Sequence, residues 1–251
     1  MSIGAIIQAR LDSTRLPRKV LLNLNKKTVL FHVLKRVSQI KKLTKIVVAI
    51  PKNNKSSILK KEIEKYKSKI FFPIFIYEGS EHNVFERTLF AARSNNIKTI
   101  IRITSDCPFI DYEVSSKLLK NFLLKKLDYA RFCEKYGYPL GFETEIFSVK
   151  ILEKLKKVKL TKFEKEHVTP YIWKNEKSFK SLVFKPKKNF KNLRLVIDTK
   201  EDYKLAKKLY SQLRDNFCYK DIITLYEQNP HIFFINSMIK QKATIGKNEN
   251  K

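Results

Sequence analysis

A cluster of cations follows the first apolar run of the chain. The run Ile3–Gln8 has the composition of a buried strand, and the loop after it carries Arg10, Arg15, Arg18 and Lys19. In open α/β sheets, ligands bind beyond the carboxyl ends of the strands. Guanidinium groups match phosphate oxygens in pairs, and lysine adds a point charge. The loop therefore predicts a polyphosphate site.

A second chemical signal is a carboxylate that follows another predicted strand. That strand ends at about Ile103, and Asp106 falls in the loop beyond its carboxyl end. Asp111 is placed to cap a helix that begins at Tyr112, but no structural role is evident for Asp106. A lone carboxylate repels phosphates unless a divalent cation lies between them. Magnesium is held in this way, by one or two carboxylates together with substrate phosphates.

A third apolar run ends in Asp198, and two interpretations of this residue stay open. Asp198 or Thr199, with Glu201 or Asp202 three residues further on, fits a helix N-cap and capping box. Alternatively, Asp198 joins Asp106 and the basic loop in a site for a metal ion and a triphosphate. The two interpretations differ in whether the charge of Asp198 or only its hydrogen-bonding capacity is needed.

The composition excludes several classes of protein. With 251 residues, 43% of them hydrophobic, the chain can bury a core and is not expected to be disordered. Three cysteines without a CxxC pair argue against a disulfide framework or a zinc site. No apolar run approaches the roughly 20 residues that span a bilayer, and no signal-peptide pattern is visible. We expect a cytoplasmic protein with no membrane partner.

The formal net charge of +29 raises the question of nucleic-acid binding. The lysines are spread over the whole chain, for example at 41–42, 125–126 and 207–208, on faces that look solvated. Nucleic-acid-binding proteins normally cluster their cations in a patch or stripe. The dispersed pattern therefore favours a general compositional bias, and nucleic acid is not the expected partner.

The elements that must position these residues alternate along the chain. The predicted strands are 3–8, 45–50, 72–77, 99–103, 128–132, 181–184 and 193–197. The predicted helices are 29–40, 56–67, 84–95, 112–124, 149–157, 201–213 and 220–228. The first hundred residues thus form a βαβαβαβ series, which predicts an α/β fold with a mostly parallel sheet and helices on both faces.

The later part of the chain is less regular. Gly137 and Gly141 punctuate it strongly, and the segment 128–191 is expected to form a small inserted lid or dimerisation sub-structure over the sheet edge. The strand and helix at 193–213 are expected to return to the main sheet. This gives a single domain at 1–240, with its core at 1–127 and 192–240, followed by a flexible tail at 241–251.

Four motifs resemble the cytidylyltransferase family, in particular its spore coat polysaccharide biosynthesis protein F type. They follow the family order over about residues 1–215 and read QARxxSTRLPxK from Gln8, RITxDCPxID from Arg102, EHVTPYI from Glu166 and NLRLxIDTxED from Asn192. The wider relatives are the synthetases of CMP-sialic acid and CMP-KDO. The resemblance implies a Rossmann-like nucleotidyltransferase fold. It also implies transfer of CMP from CTP to an acidic, keto-deoxy sugar, with release of pyrophosphate, for surface polysaccharide or glycan biosynthesis.

The resemblance also assigns roles to particular residues. The implied catalytic residues are Arg10, Lys19, Asp106 and Asp198, of which Asp106 and Asp198 hold Mg²⁺. The implied nucleotide-binding residues are Ala9, Arg10, Arg15, Lys19, Ser80, Arg87 and Thr104. The implied substrate-binding residues are Glu143, Glu145 and His167, although His167 also fits a packing or capping role. A homodimer, as in the wider family, is possible on the same grounds.

Three positions depart from the family pattern, and other functions stay open. Arg18 and Ser105 replace glycines, and Glu143 replaces an aspartate. Arg18 is expected to crowd the phosphates, and Glu143 bears on the sugar end. The alternative functions are a nucleotidyltransferase for another NTP or a sugar phosphate, a family member that binds nucleotide without turnover, and a non-catalytic basic protein that binds nucleotide or RNA.

Overall fold

The computed structural model describes residues 2–241. The strands are β1 (Ile3–Gln8), β2 (Asn23–Leu24), β3 (Lys27–Thr28), β4 (Lys45–Pro51), β5 (Ile74–Gly79), β6 (Thr99–Thr104), β7 (Tyr129–Phe132), β8 (Thr144–Ser148) and β9 (Ser181–Val183). The α-helices are α1 (Val29–Val37), α2 (Ser56–Lys67), α3 (Val84–Ser94), α4 (Tyr112–Leu124), α5 (Val149–Leu155), α6 (Lys162–His167), α7 (Pro170–Lys174), α8 (Lys200–Gln212) and α9 (Tyr219–Gln228). Short 3-10 helices lie at Lys19–Leu21, Glu134–Tyr136, Glu176–Ser178 and Pro230–Asn236.

The main sheet is mostly parallel, as the alternation predicts. Within residues 2–241 it has seven strands in the order β5-β4-β1-β6-β8-β7-β9, and β8 runs antiparallel to both of its neighbours. In the β1–β6 pair, Gln8 lies opposite Thr104, so the two strands end side by side. The loops that carry the predicted phosphate and metal ligands therefore leave the same edge of the sheet.

Helices cover both faces of the sheet. One core contains side chains from α1, α2, α4, α8 and α9, and the other contains side chains from α3, α5 and α7. In α1 the apolar residues recur every three or four positions, and Val29, Leu30, Val33 and Leu34 are fully buried. Each such side chain contributes about 1.5–3 kcal/mol on burial. Thr28 caps this helix by accepting a hydrogen bond from the backbone N–H of Phe31.

Most of the predicted elements are present, but the predicted strand Leu193–Ile197 is wrong. Its apolar residues are buried as expected, yet its backbone joins no strand of the main sheet. It forms a bridge to Leu140, and the N–H of Ile197 donates to the carbonyl of Asp106 over 2.9 Å. An apolar run specifies burial rather than a sheet partner, and here the partners are two loops. The sequence analysis also missed β8, which adjoins β6.

The segment 128–191 is part of the sheet rather than a layer over its edge. It supplies β7, β8 and β9, and its helices α5 and α7 pack on one face. The predicted flexible tail lies, apart from Gln241, outside the described residues. Within 2–241, no helix has the length and apolar character required to cross a bilayer.

Gly141 lets two irregular segments approach closely. Its φ of +95° is in the left-handed region, and a Cβ atom there would lie 2.7 Å from the carbonyl carbon of Leu195. Leu140 and Leu193 are hydrogen-bonded at the same place, since the N–H of Leu140 donates to the carbonyl of Leu193 over 2.9 Å. Glycine at 141 is therefore needed to seat the segment that leads to Asp198.

A left-handed backbone costs residues other than glycine about 1–2 kcal/mol. We expect Gly141→Ala to destabilise the protein by more than this, because the new methyl group also meets backbone atoms. Gly137→Ala is the matched control. Gly137 has a similar φ of +104°, but its nearest neighbours are side-chain atoms of Pro186 at 3.3 Å. Urea unfolding of both variants measures the difference. Equal losses would show that the close approach at 141 does not matter.

Candidate nucleotide and metal site

The basic loop after β1 is held in place by apolar side chains that alternate with its cations. Leu11, Leu16 and Val20 are buried in the main core. The N–H of Arg18 donates to the carbonyl of Leu11 over 3.1 Å, which closes the loop. Arg18 itself has a left-handed backbone, with φ 54°, which explains why glycine suits this position. Its side chain is exposed and does not line the cavity described below, so the expected crowding of the phosphates is corrected.

Lys19 joins the two acidic residues that the sequence singled out. Its Nζ lies 2.5 Å from Asp106 Oδ2 and 2.5 Å from Asp198 Oδ1. Arg15 also contacts Asp198, with 2.8 Å between Nη2 and Oδ2. Burial by itself lowers the pKa of Lys19, but the two carboxylates outweigh it and the pKa is raised. Burial by itself raises the pKa of Asp106, but Lys19 outweighs it and the pKa is lowered. Lys19 and Asp106 are therefore both charged at neutral pH.

The helix cap next to Asp198 is made by other residues. Thr199 is the N-cap of α8, and its Oγ1 accepts a hydrogen bond from the N–H of Asp202 over 3.2 Å. In return, Asp202 Oδ2 accepts from the N–H groups of Asp198 and Thr199, each at 3.0 Å. The capping box thus belongs to Thr199 and Asp202. The carboxylate of Asp198 contacts cations instead.

These groups open into a cavity of about 750 Å³ at the carboxyl edge of β1 and β6. It is lined by Gln8, Ala9, Arg10, Asp12, Ser13, Thr14, Arg15, Lys19, Val20, Val84, Arg87, Thr104, Ser105, Asp106, Phe163, Glu166, His167, Asp198 and Gln241. The volume suits a nucleotide-sized ligand. Cations gather on the side of the β1 loop, whereas Phe163, Glu166 and His167 come from α6.

The structure brings nine of the predicted site residues into this lining. They are Ala9, Arg10, Arg15, Lys19, Arg87, Thr104, Asp106, His167 and Asp198. Within residues 2–241, the lining does not include Ser80, Glu143 or Glu145, and the contacts expected of these three residues stay predictions.

The backbone of Ser80 contacts a residue that lines the cavity, whereas its hydroxyl group forms a local hydrogen bond. Its Oγ accepts a hydrogen bond from the N–H of Asn83 over 3.0 Å. Its carbonyl accepts from Arg87 Nη1 over 2.5 Å. Burial, together with the charge of Arg10, lowers the pKa of Arg87 to about 10, so Arg87 is still a cation at pH 7. Arg87 therefore lines the cavity while it anchors the loop after β5.

Glu145 is bonded to other protein groups through both of its oxygens. Oε2 lies 2.5 Å from Arg102 Nη1, and Oε1 accepts hydrogen bonds from Tyr129 and, over 2.5 Å, from Thr169 Oγ1. Arg102 in turn donates through Nη2 to Gln8 Oε1 over 2.9 Å. Both carboxylate oxygens of Glu145 therefore have partners within the protein, and its contact with substrate stays a prediction. Glu145 contacts Arg102, and Arg102 contacts Gln8, which lines the cavity.

Glu143 lies beside Glu145 near the C-terminal end of β7. Burial and the charge of Glu145 raise the pKa of Glu143 to about 7. Glu143 does not line the cavity, and its contact with substrate stays a prediction. Ionisation of this carboxyl group destabilises the folded protein, because its carboxylate form is shielded from water and is repelled by Glu145.

His167 reaches the cavity from a strained turn. Val168 has φ 73° and ψ −53°, and the N–H of Thr169 donates to the carbonyl of His167 over 2.9 Å, which together define a γ-turn. Such a conformation is costly for a β-branched residue. The turn directs His167 to the cavity and Thr169 to Glu145. Burial lowers the pKa of His167, so the imidazole is neutral at pH 7.

Several lining residues were not predicted as site residues. Gln8 and Glu166 belong to the motifs quoted above, but the sequence gives no sign of which atoms face a cavity. Gln8 has a signal that could have been used, because it is the last residue of a strand that ends at the ligand-binding edge. Phe163 has no comparable signal, because α6 was not predicted.

The fold and the cavity together define a nucleotidyltransferase. A family model described as cytidylyltransferase matches residues 4–238, and the chain therefore belongs to the cytidylyltransferase family. It is 34% identical to an uncharacterised protein of Methanocaldococcus jannaschii over 97% of this chain and 98% of that protein. It is 30% identical to the spore coat polysaccharide biosynthesis protein SpsF of Bacillus subtilis over 90% of this chain and 94% of that protein.

Two further comparisons agree with this family. A 3-deoxy-manno-octulosonate cytidylyltransferase of Rickettsia bellii is 30% identical over 126 residues, which are 50% of each chain. The solved structure of a cytidylyltransferase from Leptospira borgpetersenii is 32% identical, with a TM-score of 0.86 over 96% of this chain and 100% of that one. The chain is thus a nucleotidyltransferase enzyme, and the family expected from its motifs is confirmed.

We expect Glu145→Gln to lower the free energy of unfolding by about 3 kcal/mol, because it leaves the guanidinium of Arg102 unpaired in a largely buried position. Glu176→Gln is the control, since Glu176 pairs with Arg131 at 3.5 Å but is 47% exposed. Exposed pairs contribute less than about 1 kcal/mol. Denaturant unfolding compares the two. Unchanged stability with lost activity would instead indicate a substrate contact.

Glu143 gives a pH-dependent prediction. Its folded-state pKa of about 7 lies above the unfolded value of about 4.3, so its contribution to stability is fully present below about pH 4 and is lost as the pH rises through 7. Glu143→Gln removes this loss. Relative to wild type, the variant should gain about 3–4 kcal/mol of stability between pH 4 and pH 8. The exposed Glu153→Gln is the control, and parallel stability profiles for all three proteins would contradict the prediction.

Proposed function

We propose that the chain transfers CMP from CTP to an acidic sugar of the keto-deoxy type, with release of pyrophosphate. The observation that carries the proposal is the convergence of Asp106, Asp198 and Lys19 in a cavity that Arg10 and Arg15 also line. Nucleotidyl transfer asks little covalent chemistry of the protein. It requires an in-line arrangement of nucleophile, phosphorus and leaving group, and donors that meet the developing charge.

The cationic side of the cavity suits the triphosphate. Arg10 and Arg15 supply guanidinium groups, which pair with phosphate oxygens, and Lys19 supplies an ammonium. These cations would bind the β- and γ-phosphates and stabilise the pyrophosphate as it leaves. Ala9, Thr104 and Arg87, which line the same cavity, are the remaining candidates for nucleotide contacts.

Asp106 and Asp198 fit a divalent cation, and we propose Mg²⁺. Both present carboxylate oxygens to one position, and hard oxygen donors are what Mg²⁺ prefers in proteins. Within residues 2–241 no cluster of three or more His, Cys, Asp or Glu side chains could hold a metal ion by itself. Two carboxylates completed by substrate phosphates match that finding. When bound, Mg²⁺ polarises the phosphate and offsets its charge.

The side of the cavity formed by α6 is the proposed place of the sugar. His167 is neutral at pH 7, so its imidazole can accept a hydrogen bond from a sugar hydroxyl or take its proton. Glu166 and Phe163 complete this side. An acidic sugar is supported by the names of two relatives, a spore coat polysaccharide biosynthesis protein and a 3-deoxy-manno-octulosonate cytidylyltransferase. The homodimer and the cytoplasmic location stay predictions.

The test is pyrophosphate release from each of the four NTPs with Mg²⁺ and a panel of acidic sugars. Of the four NTPs, we expect only CTP to support turnover. Asp106→Asn should abolish nearly all of it, because a neutral amide keeps the shape but binds Mg²⁺ weakly, while thermal unfolding stays close to that of wild type. Lys60→Met, which breaks an exposed pair with Glu78, is the control and should remain active.

Different results would lead to different conclusions. Equal use of all four NTPs would remove the cytidylyltransfer proposal. CTP binding without turnover on any sugar would favour a nucleotide-binding protein. Full activity of Asp106→Asn at limiting Mg²⁺ would show that Asp106 is only a loop residue.

A further inference from the structure

One ammonium contacts both of the carboxylates to which a metal role is assigned. Lys19 Nζ lies 2.5 Å from an oxygen of Asp106 and 2.5 Å from an oxygen of Asp198. The side chain of Lys19 is only 12% exposed, so this contact is shielded from solvent. We propose that Lys19 is an internal counter-ion that a divalent cation has to displace, so that metal binds tightly only together with a triphosphate. This inference rests on the metal role of Asp106 and Asp198 in the proposed function.

The charges around the site explain why a metal ion alone gains little. Asp198 contacts Arg15 at 2.8 Å and Arg194 at 3.4 Å, in addition to Lys19. Arg194 also pairs with Asp202 at 2.8 Å. Three cations therefore meet three carboxylates, and the group as a whole is neutral. A dication that enters this group meets as much repulsion as attraction, unless one of the cations moves away.

Lys19 can move because of its side chain and because of what the cavity binds. Its ammonium ends a flexible four-carbon stem, and it lines the cavity together with Arg10 and Arg15. The oxygens of a triphosphate in this cavity would offer Lys19 new anionic partners. Once Lys19 contacts phosphate, Asp106 Oδ2 and Asp198 Oδ1 are free for the metal ion. Each ligand then improves the binding of the other by the same factor, as linkage requires.

A purely structural ion pair predicts something different. If Lys19 only held the three segments together, its removal would loosen the site, and the metal affinity would fall or stay the same. If Lys19 is a displaceable counter-ion, its removal takes the cation away from Asp106 Oδ2 and Asp198 Oδ1 and leaves the group with one excess negative charge, so the metal affinity rises. The direction of the change in metal affinity therefore separates the two roles.

The experiment measures Mn²⁺ binding to the full chain by electron paramagnetic resonance, with and without CTP. Wild type should bind Mn²⁺ weakly when CTP is absent. Lys19→Met should bind Mn²⁺ alone about 10-fold more tightly, and the increase in affinity that CTP causes should shrink by a similar factor. Lys19→Gln, which keeps a hydrogen-bond donor for the carboxylates, serves as the second variant if Lys19→Met does not fold.

Two controls make the result specific. Lys55→Met removes the same charge from an exposed pair with Asp12 at the rim of the cavity, and should leave Mn²⁺ binding unchanged. Adding Asp106→Asn to Lys19→Met should abolish the gain in Mn²⁺ affinity. The proposal is overturned if Lys19→Met and Lys19→Gln bind Mn²⁺ no more tightly than Lys55→Met, or if the gain survives Asp106→Asn. A failure to turn over CTP would leave Mn²⁺ binding in the absence of CTP unaffected, and so would reflect on the proposed function alone.

Discussion

The arrangement of the site depends on holding two carboxylates beside one ammonium. Lys19 is 87 residues from Asp106 and 179 residues from Asp198 in the chain, so three distant segments must converge. The two carboxylates that share this ammonium repel each other, and the repulsion is larger in a partly buried site than in water. The fold has to supply rigid support for each segment. Much of the topology can be understood as that support.

The support comes from the sheet for two of the segments and from loop contacts for the third. The loops before Lys19 and Asp106 leave adjacent parallel strands, which end side by side. The segment before Asp198 has no strand partner in the main sheet. It is held by the hydrogen bond from Ile197 to the carbonyl of Asp106 and by the close approach at Gly141. A buried pair between Arg194 and Asp202, completed by Asn236, fixes its other side.

The sequence predicts the convergence of the residues that follow apolar runs better than it predicts the surroundings of Glu145. Arg15, Lys19, Asp106 and Asp198 could be placed because each follows an apolar run, and the carboxyl ends of such runs meet at one edge. The position of Glu145 could not be predicted in this way. Whether a carboxylate faces a ligand or a buried guanidinium depends on side-chain partners, and those partners are set by tertiary structure.

The strand predicted at 193–197 failed for a related physical reason. Its alternation and burial resemble those of a strand, but pairing in a sheet also requires a free neighbour, and residues 144–148 take the place beside β6. The sequence leaves the helix boundary next to it open between Asp198 and Thr199, since both side chains can cap a helix. The capping hydrogen bond of Thr199 and the contacts of Asp198 with cations decide between them.

Because basic residues are in large excess, the few acidic residues near the cavity have to balance the cations there. The chain has 53 lysines and arginines but only 24 aspartates and glutamates. Among those few acids, Asp106, Asp198, Asp202 and Glu145 each contact at least one cation in or next to the cavity. The dispersed lysines raise the potential around the whole protein, which speeds the approach of any anion but does not select one. Selection therefore has to come from the cavity, where carboxylates hold the cations in fixed positions before an anionic ligand arrives.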